Sequence, residues 1–228
     1  KHKYSGNYHY CYCTKCNHFS HVINAALQHD VHLETSSSFD IDLILNLYKE
    51  GTIDTNLIVI NNGYKTTEYL KKIISLYDIG FTNVMVVLDN KPELKRLTTL
   101  LKGTNKKIKI GIRMAINEEA QSSYYTSRMG IRHNEILDFY NDEVKDNNYV
   151  DLKMLHFFVD SGIKDSLYFW EEFNKALKLY IDLKKCSKSL NSLNIGGGFP
   201  IRNNLGFDYD YNYMANEIIK NIKKRCSS

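Results

Sequence analysis

Residues 83–114 read NVMVVLDNKPELKRLTTLLKGTNKKIKIGIRM, and this stretch decides the fold class. The apolar run at 83–88 is typical of a buried strand, and residues 108–114 alternate with the period of two that a strand requires. Between them, residues 92–101 carry leucines at helical spacing. A strand, a helix and a second strand in this order predict a parallel βαβ unit with a right-handed crossover.

The same alternation of strand and helix runs along the rest of the chain. Further strands are predicted at 8–14, 31–35, 57–61, 152–159 and 192–195, and further helices at 18–29, 39–48, 67–77, 134–144, 166–184 and 211–224. Strict alternation predicts an α/β fold, either an open doubly wound sheet or a closed barrel. About seven strand–helix units are visible, one short of the eight of a TIM-type (β/α)8 barrel. We therefore expect one domain over residues 1–228 whose last unit is absent.

Composition excludes several classes of protein. The chain has 228 residues, a formal net charge of +4 and 43% hydrophobic residues, which is the profile of a globular protein. The charge is mild and dispersed, so we expect no nucleic-acid partner. No apolar run approaches the ~18 residues of a membrane span, so we expect no membrane partner. Five cysteines, an odd number, favour a reducing compartment and a cytoplasmic protein.

Reactive side chains fall where predicted strands end, which is where barrel enzymes place their active sites. Alternation puts Cys11, Cys13 and Lys15 on one face of the first strand, and Arg113 on the inner face of the fifth. Glycines 196–198 follow the seventh strand, where their N–H groups can approach a phosphate. Taken alone, a lysine at a strand end is most often a solvated charge, and a flexible turn explains the glycines as well as a phosphate site does. Together at one barrel mouth they favour pyridoxal phosphate, which is an aldehyde and a phosphate in one molecule.

A metal site is the alternative interpretation of residues 8–21, YHYCYCTKCNHFSH. Its three cysteines and three histidines include enough ligand atoms for zinc. Strong zinc motifs, however, add a second ligand pair at a set spacing, and the sequence has none. We therefore expect no metal site, and we interpret Cys11 and Cys13 as small residues that fill the barrel lumen below Lys15.

Two motifs carry a resemblance to a known family. YCTKCN at 12–17 and GGGFP at 196–200 resemble the pyridoxal phosphate signatures of the fold-type III, or group IV, amino-acid decarboxylases, which include ornithine, diaminopimelate and biosynthetic arginine decarboxylases. LETSSSFDIDLI, LDNKPEL, GIRMA, TSRMGI and LHFFVDSG stand between them in the family's order. The run from GIRMAINEEAQSSYYTSRMGI to LNIGGGFPIRNN is most similar to bacterial biosynthetic arginine decarboxylases. The resemblance implies a barrel of the alanine racemase and ornithine decarboxylase kind, without the last β/α unit and the C-terminal β domain.

The resemblance also implies a set of cofactor-binding residues. Lys15 matches the catalytic lysine that forms a Schiff base with the cofactor, and Glu34 an acidic residue close to it. Arg113 matches an arginine on the pyridine side, and Arg128 a basic residue that helps order the site. The residues that match the phosphate contacts are Ser161, Gly196, Gly197 and Gly198.

Two positions depart from the family pattern. Phe158 stands where the family usually has a histidine that stacks on the pyridine ring, with His156 two positions earlier. An aromatic ring can still stack there. Asp160 stands where a glycine is common, next to the serine that matches a phosphate contact.

The function implied is decarboxylation of a basic amino acid, with arginine converted to agmatine for polyamine and spermidine biosynthesis in a homo-oligomer, at least a dimer. Ornithine and diaminopimelate are the alternative substrates, and an amino-acid racemase is a third possibility. A catalytically inactive homologue that binds the cofactor or a partner subunit belongs to a different class. Retention of Lys15 favours the enzyme, whereas Phe158 and the absence of the C-terminal part favour the inactive homologue.

Overall fold

The computed structural model describes residues 5–116, 129–159, 166–200, 206 and 208–226. The strands of this part of the chain are β1 Cys11–Cys13, β2 His32–Thr35, β3 Val59–Asn61, β4 Val84–Leu88, β5 Ile108–Ala115, β6 Ile131–Arg132, β7 Val150–His156 and β8 Ser192–Asn194. The α-helices are α1 Ser20–Leu27, α2 Ser38–Lys49, α3 Thr67–Ile79, α4 Lys91–Leu101, α5 Ile136–Phe139, α6 Ser166–Cys186 and α7 Tyr211–Cys226. None of these helices combines the length and apolarity that crossing a membrane requires.

The strands form one curled, parallel sheet in the order β1-β2-β3-β4-β5-β7-β8. The two-residue β6 pairs only with the end of β5, at Met114 and Ala115. Among the described residues no pairing joins β1 to β8, so these two strands are the edges of a half-barrel. The α/β fold predicted from strand and helix alternation, and the barrel-type architecture that the family resemblance implies, are therefore confirmed. All carboxyl ends of the strands lie along one rim of the sheet, because every pairing is parallel.

The two faces of the sheet differ in what they pack against. The outer face contributes Ile108, Ile110 and Ile112 of β5 to the main core, which also includes the buried sides of the helices. A second, smaller apolar cluster consists of Ile60, Met85, Val87 and Met154, with Cys11 packed against it. An added Cβ on Gly111 would lie 3.2 Å from Val87 Cγ2 and 3.3 Å from Met154 Cβ. The smaller cluster therefore fills the lumen, as predicted for Cys11 and for the inner face of β5.

The first strand is shorter than predicted, and this changes the position of Lys15. The prediction extended the strand over 8–14, whereas β1 ends at Cys13 and a 3-10 turn covers Thr14–Cys16. Buried Thr14 causes the change, because its Oγ1 donates to the Glu34 carbonyl on β2 at 3.1 Å. Its own carbonyl accepts from the Asn17 N–H at 3.2 Å, which closes the turn. Period-two alternation thus stops before Lys15, and the prediction that Lys15 continues the strand face was wrong.

The helix predicted at 134–144 is split into three pieces. A 3-10 turn at His133–Glu135 leads into α5, and a π-helical turn follows at Tyr140–Val144. The Lys145 N–H donates to the Tyr140 carbonyl at 2.8 Å, five residues back, which is the hydrogen bond that defines a π turn. The wider turn keeps Phe139, Tyr140 and Val144 buried together.

Candidate active site

Lys15 lies at the carboxyl end of β1 with its side chain exposed. The 3-10 turn directs the Lys15 N–H toward the Cys13 sulfur, and Cys13 is paired in register with Glu34 on β2. Burial, reinforced by the Glu34 carboxylate, raises the pKa of Cys13 to about 12. The same two causes raise the pKa of Cys11 to about 12. Both thiols therefore stay protonated at neutral pH, which makes them poor nucleophiles, whereas the Lys15 side chain next to them is exposed.

Arg113 projects from β5 on the inner face and is mostly buried. Its Nη1 lies 3.5 Å from Asp89 Oδ1, directly after β4, and 3.4 Å from the Met129 sulfur. Burial raises the pKa of Asp89, while the charges of Arg113 and Lys65 oppose that shift. The ion pair holds the guanidinium at the rim of the sheet, with two strands, β3 and β4, between it and Glu34.

A second ion pair, adjacent to Asp89, joins Lys65 in the loop after β3 to Glu93 in the first turn of α4. Both side chains are fully buried, with Nζ 3.6 Å from Oε2. Burial lowers the pKa of Lys65 to about 8, against the opposing charges of Glu93 and Asp89. Sequence reasoning missed Lys65, Glu93 and Asp89. The rule that active residues follow strand ends points to Asp89, but no sequence pattern marks Lys65 or Glu93 as buried.

The glycine turn after β8 packs tightly against the backbone that follows β7. Gly196 has φ +68° and Gly198 has φ +81°, conformations that favour glycine. An added Cβ would lie 2.7 Å from the Phe157 carbonyl oxygen at Gly196 and 2.3 Å from the Val159 carbonyl oxygen at Gly198. Among the described residues, no hydrogen-bond acceptor is assigned to the N–H groups of Gly197 and Gly198. The turn therefore has backbone donors available for an anion.

Phe158 stands between β7 and this turn. Its ring is half-buried, and its Cδ2 would be 2.9 Å from a Cβ added at Gly196. Its Cε2 would be 4.0 Å from a Cβ added at Gly197. The ring therefore lies against the glycine turn, at the position where the family usually has a histidine.

His156 connects the end of β7 to the glycine turn through Asn194. The His156 Nδ1 lies 3.3 Å from the Asn194 carbonyl oxygen, and since a carbonyl can only accept, Nδ1 carries the proton. The Asn194 side-chain oxygen accepts in turn from the Gly196 N–H at 2.8 Å. Burial, with the nearby Arg113 charge, lowers the pKa of His156 to about 3. The buried imidazole is therefore neutral, and it helps to hold the turn in place.

Acid is expected to destabilise the protein through His156. The unfolded chain binds a proton near the ordinary pKa of 6.5, whereas the folded chain binds it only near pH 3. Stability is therefore lost as pH falls from 6.5 toward 3, and the loss between pH 7 and pH 5 is about 2 kcal/mol for this one group. Urea unfolding at both pH values checks this, with His156→Asn losing less over the interval than the wild type. The exposed His133→Asn variant is the control, and an equal loss in all three proteins would contradict the prediction.

The predicted site residues now have positions in the fold. Lys15, Glu34 and Arg113 come from the ends of β1, β2 and β5 at one rim, and Phe158 and glycines 196–198 follow β7 and β8 at the same rim. Arg128, Asp160 and Ser161 lie outside the described residues. The roles assigned to these residues stay predictions.

Comparison with known proteins identifies the family. The model of the pyridoxal-dependent decarboxylase family, pyridoxal binding domain, matches residues 1–228. The biosynthetic arginine decarboxylase of Citrifermentans bemidjiense is 26% identical over 98% of this chain and 37% of its own length. That of Prochlorococcus marinus strain MIT 9312 is 25% identical over 98% of the chain and 36% of its own. The chain thus spans little more than a third of the length of these curated relatives.

Solved structures agree on the fold. The biosynthetic arginine decarboxylase of Campylobacter jejuni superposes with a TM-score of 0.75 at 21% identity, over 97% of this chain and 37% of that one. The lysine decarboxylase of Selenomonas ruminantium superposes with a TM-score of 0.74 at 19% identity, over 95% of this chain and 53% of that one.

The residues at the rim fit the group that the family binds. Lys15 has an exposed amine for an aldehyde, and Gly197 and Gly198 have N–H donors for a phosphate. The Arg113 guanidinium is held in place by its ion pair with Asp89, and the aromatic ring of Phe158 lies beside the glycine turn. The family model matches residues 1–228, and the chain therefore belongs to the pyridoxal-dependent decarboxylases and contains their pyridoxal binding domain.

Proposed function

We propose that this chain is the cofactor-binding part of a decarboxylase of basic amino acids, with arginine as substrate and agmatine as product. The observation that carries the proposal is the placement of an exposed lysine amine and a glycine turn with available N–H donors at one rim of the sheet. The names of the curated relatives, biosynthetic arginine decarboxylases, support arginine as the substrate. On the family resemblance we extend the proposal to a place in polyamine biosynthesis and to a cytoplasmic homo-oligomer.

The chemistry divides between cofactor and protein. When bound, pyridoxal phosphate supplies an electron sink for the electrons left behind by carbon dioxide. Lys15 would hold the cofactor through its amine, and the N–H groups of Gly197 and Gly198 would donate to its phosphate. Arg113 and Phe158 would orient its ring.

Covalent trapping tests this assignment. The purified protein is mixed with pyridoxal phosphate and reduced with borohydride, and the modified residue is located by peptide mass spectrometry. We expect one adduct, on Lys15, and none in Lys15→Ala, because the Lys15 amine is exposed at the end of β1, whereas Lys65 is fully buried against Glu93 and Lys91 is paired with Glu135. Lys72→Ala, a lysine paired with Asp42 on the helical side, is the control and should retain the adduct. Adducts scattered over several lysines, or none in the wild type, would overturn the proposed function.

Substrate class is measured on the cofactor-loaded protein. Release of carbon dioxide is followed with arginine, ornithine, lysine and diaminopimelate at equal concentrations. We expect arginine to give the highest kcat/KM. If another of the four amino acids gave the highest kcat/KM, the protein would still be a decarboxylase, and that amino acid would replace arginine as the proposed substrate.

An inactive homologue that only binds the cofactor is the second candidate. The observation that favours it is the Phe158 ring beside the glycine turn, in the position where the family usually has a histidine. A protein that forms the Lys15 adduct but releases carbon dioxide from none of the four amino acids would support this candidate. Phe158→His then tests whether the imidazole restores turnover.

A further inference from the structure

A buried lysine and glutamate lie beside Asp89, and the roles assigned to the candidate active site leave them unused. Lys65 and Glu93 both have 0% side-chain exposure. Removing two charges from water costs several kcal/mol per ion, and their mutual attraction at 3.6 Å only partly returns it. An ion pair retained in so unfavourable a place calls for a role beyond packing.

The glutamate joins two segments of backbone. Glu93 Oε1 accepts the N–H of Lys65 at 2.8 Å, and Oε2 accepts the N–H of Asp89 at 2.8 Å. The ammonium of Lys65 donates to the Gly63 carbonyl at 2.6 Å and also to the Val87 carbonyl. The pair therefore ties the loop after β3 to the end of β4. A pair of apolar residues could not replace it, since it would leave two buried N–H groups without acceptors.

Asp89 connects the Lys65–Glu93 pair to Arg113 at the rim of the sheet. Its backbone is fixed by Glu93, and its side chain is 5% exposed. Among the described residues Oδ1 has no hydrogen-bond donor, and it faces Arg113 Nη1 at 3.5 Å. The carboxylate that faces Arg113 is therefore attached to backbone that Glu93 holds.

We propose that Lys65 and Glu93 are positioning residues for the cofactor, forming a clamp that fixes Asp89 and through it aims Arg113 at the ring. This inference rests on the proposed function, because it requires Arg113 to contact bound pyridoxal phosphate. The clamp is defined as Lys65 and Glu93, and neither residue itself reaches the cofactor.

A double-mutant cycle separates positioning from general stability. The variant Lys65→Met/Glu93→Gln removes both charges together and keeps the side-chain lengths. Affinity for pyridoxal phosphate is titrated by absorbance in the wild type, this variant, Arg113→Met and the combined triple variant. We expect roughly tenfold weaker binding for the clamp variant, and no further loss when it is added to Arg113→Met, because the two changes remove the same contact.

A matched control and a second variant keep the test decisive. Lys175→Met/Glu172→Gln removes a pair on α6 whose glutamate is equally buried, at 1% exposure. This control should leave the affinity for pyridoxal phosphate unchanged while it lowers thermal stability about as much as the clamp variant does. Asp89→Asn breaks the link at its far end while retaining the clamp. It should reproduce the loss of affinity and the same non-additivity with Arg113→Met if the clamp variant does not fold.

The outcomes are distinguishable. If the wild type binds pyridoxal phosphate but the losses of the clamp variant and Arg113→Met add, the clamp is only structural and the inference is overturned. An equal loss of affinity in the Lys175→Met/Glu172→Gln control also overturns it. If the wild type itself does not bind, the proposed function fails, and the inference fails with it.

Discussion

Alanine in place of Gly198 is expected to abolish tight cofactor binding. The new Cβ would lie 2.3 Å from the Val159 carbonyl oxygen, a backbone atom that cannot move aside by rotating. The φ of +81° adds the strain of a left-handed conformation, about 1–2 kcal/mol. The turn must therefore shift away from the strand, and its N–H donors move with it. We expect affinity for pyridoxal phosphate to fall by about 100-fold, equivalent to about 2.7 kcal/mol.

Alanine substitutions at two other glycines separate the effect of backbone strain from the effect of the collision. Gly103 has a similar φ of +79° but nothing within 4 Å of an added Cβ, so Gly103→Ala carries the strain without the collision. At Gly197 an added Cβ would meet only Phe158 Cε2, at 4.0 Å. Fluorescence titration should give wild-type affinity for Gly103→Ala and close to wild-type affinity for Gly197→Ala, which has neither the collision nor the left-handed φ. Wild-type affinity in Gly198→Ala would show that the turn does not hold the phosphate.

Lys65→Met is expected to destabilise the fold by about 3–5 kcal/mol, because it leaves the Glu93 carboxylate buried without its counter-ion. The loss should shrink in mild acid. Burial already raises the pKa of Glu93, and removing the Lys65 charge raises it further. The folded variant then binds a proton at a higher pH than the unfolded chain, so its stability relative to the wild type recovers as pH falls through that pKa.

Urea unfolding at pH 7 and pH 5.5 measures both effects. Lys72→Met is the matched control, since Lys72 pairs with Asp42 at 2.7 Å and with Glu68 at 3.5 Å on a partly exposed surface. An exposed pair contributes less than about 1 kcal/mol, and its loss should not depend on burial of a carboxylate. If Lys65→Met cost no more than Lys72→Met, Lys65 would not be the essential partner of Glu93.

The local sequence pattern was sufficient to predict which residues lie on each face of the sheet and which lie at its carboxyl rim. The period of two along β5 predicted that Ile110 faces the helices and Gly111 the lumen, and both positions are confirmed. Such alternation is a property of the extended backbone itself, so it can be read without knowing what the strand packs against. The rule that active residues follow strand ends brought Lys15, Arg113 and the glycine turn to one rim, because parallel strands all end on the same side.

Features that depend on contacts between distant segments of the chain could be seen only in the tertiary structure. β1 ends early because Thr14 bonds to Glu34, 20 residues away, and no periodicity within β1 contains that bond. Lys65 and Glu93, 28 residues apart, look like ordinary surface charges in sequence. The sequence by itself thus determined the order of elements, the two faces and the cofactor signatures, because these depend on neighbouring residues. The burial of the clamp and the contact between Asp89 and Arg113 depend on the register of β3, β4 and β5. Residues from different strands meet only when the sheet aligns them, so these contacts could be seen only in the tertiary structure.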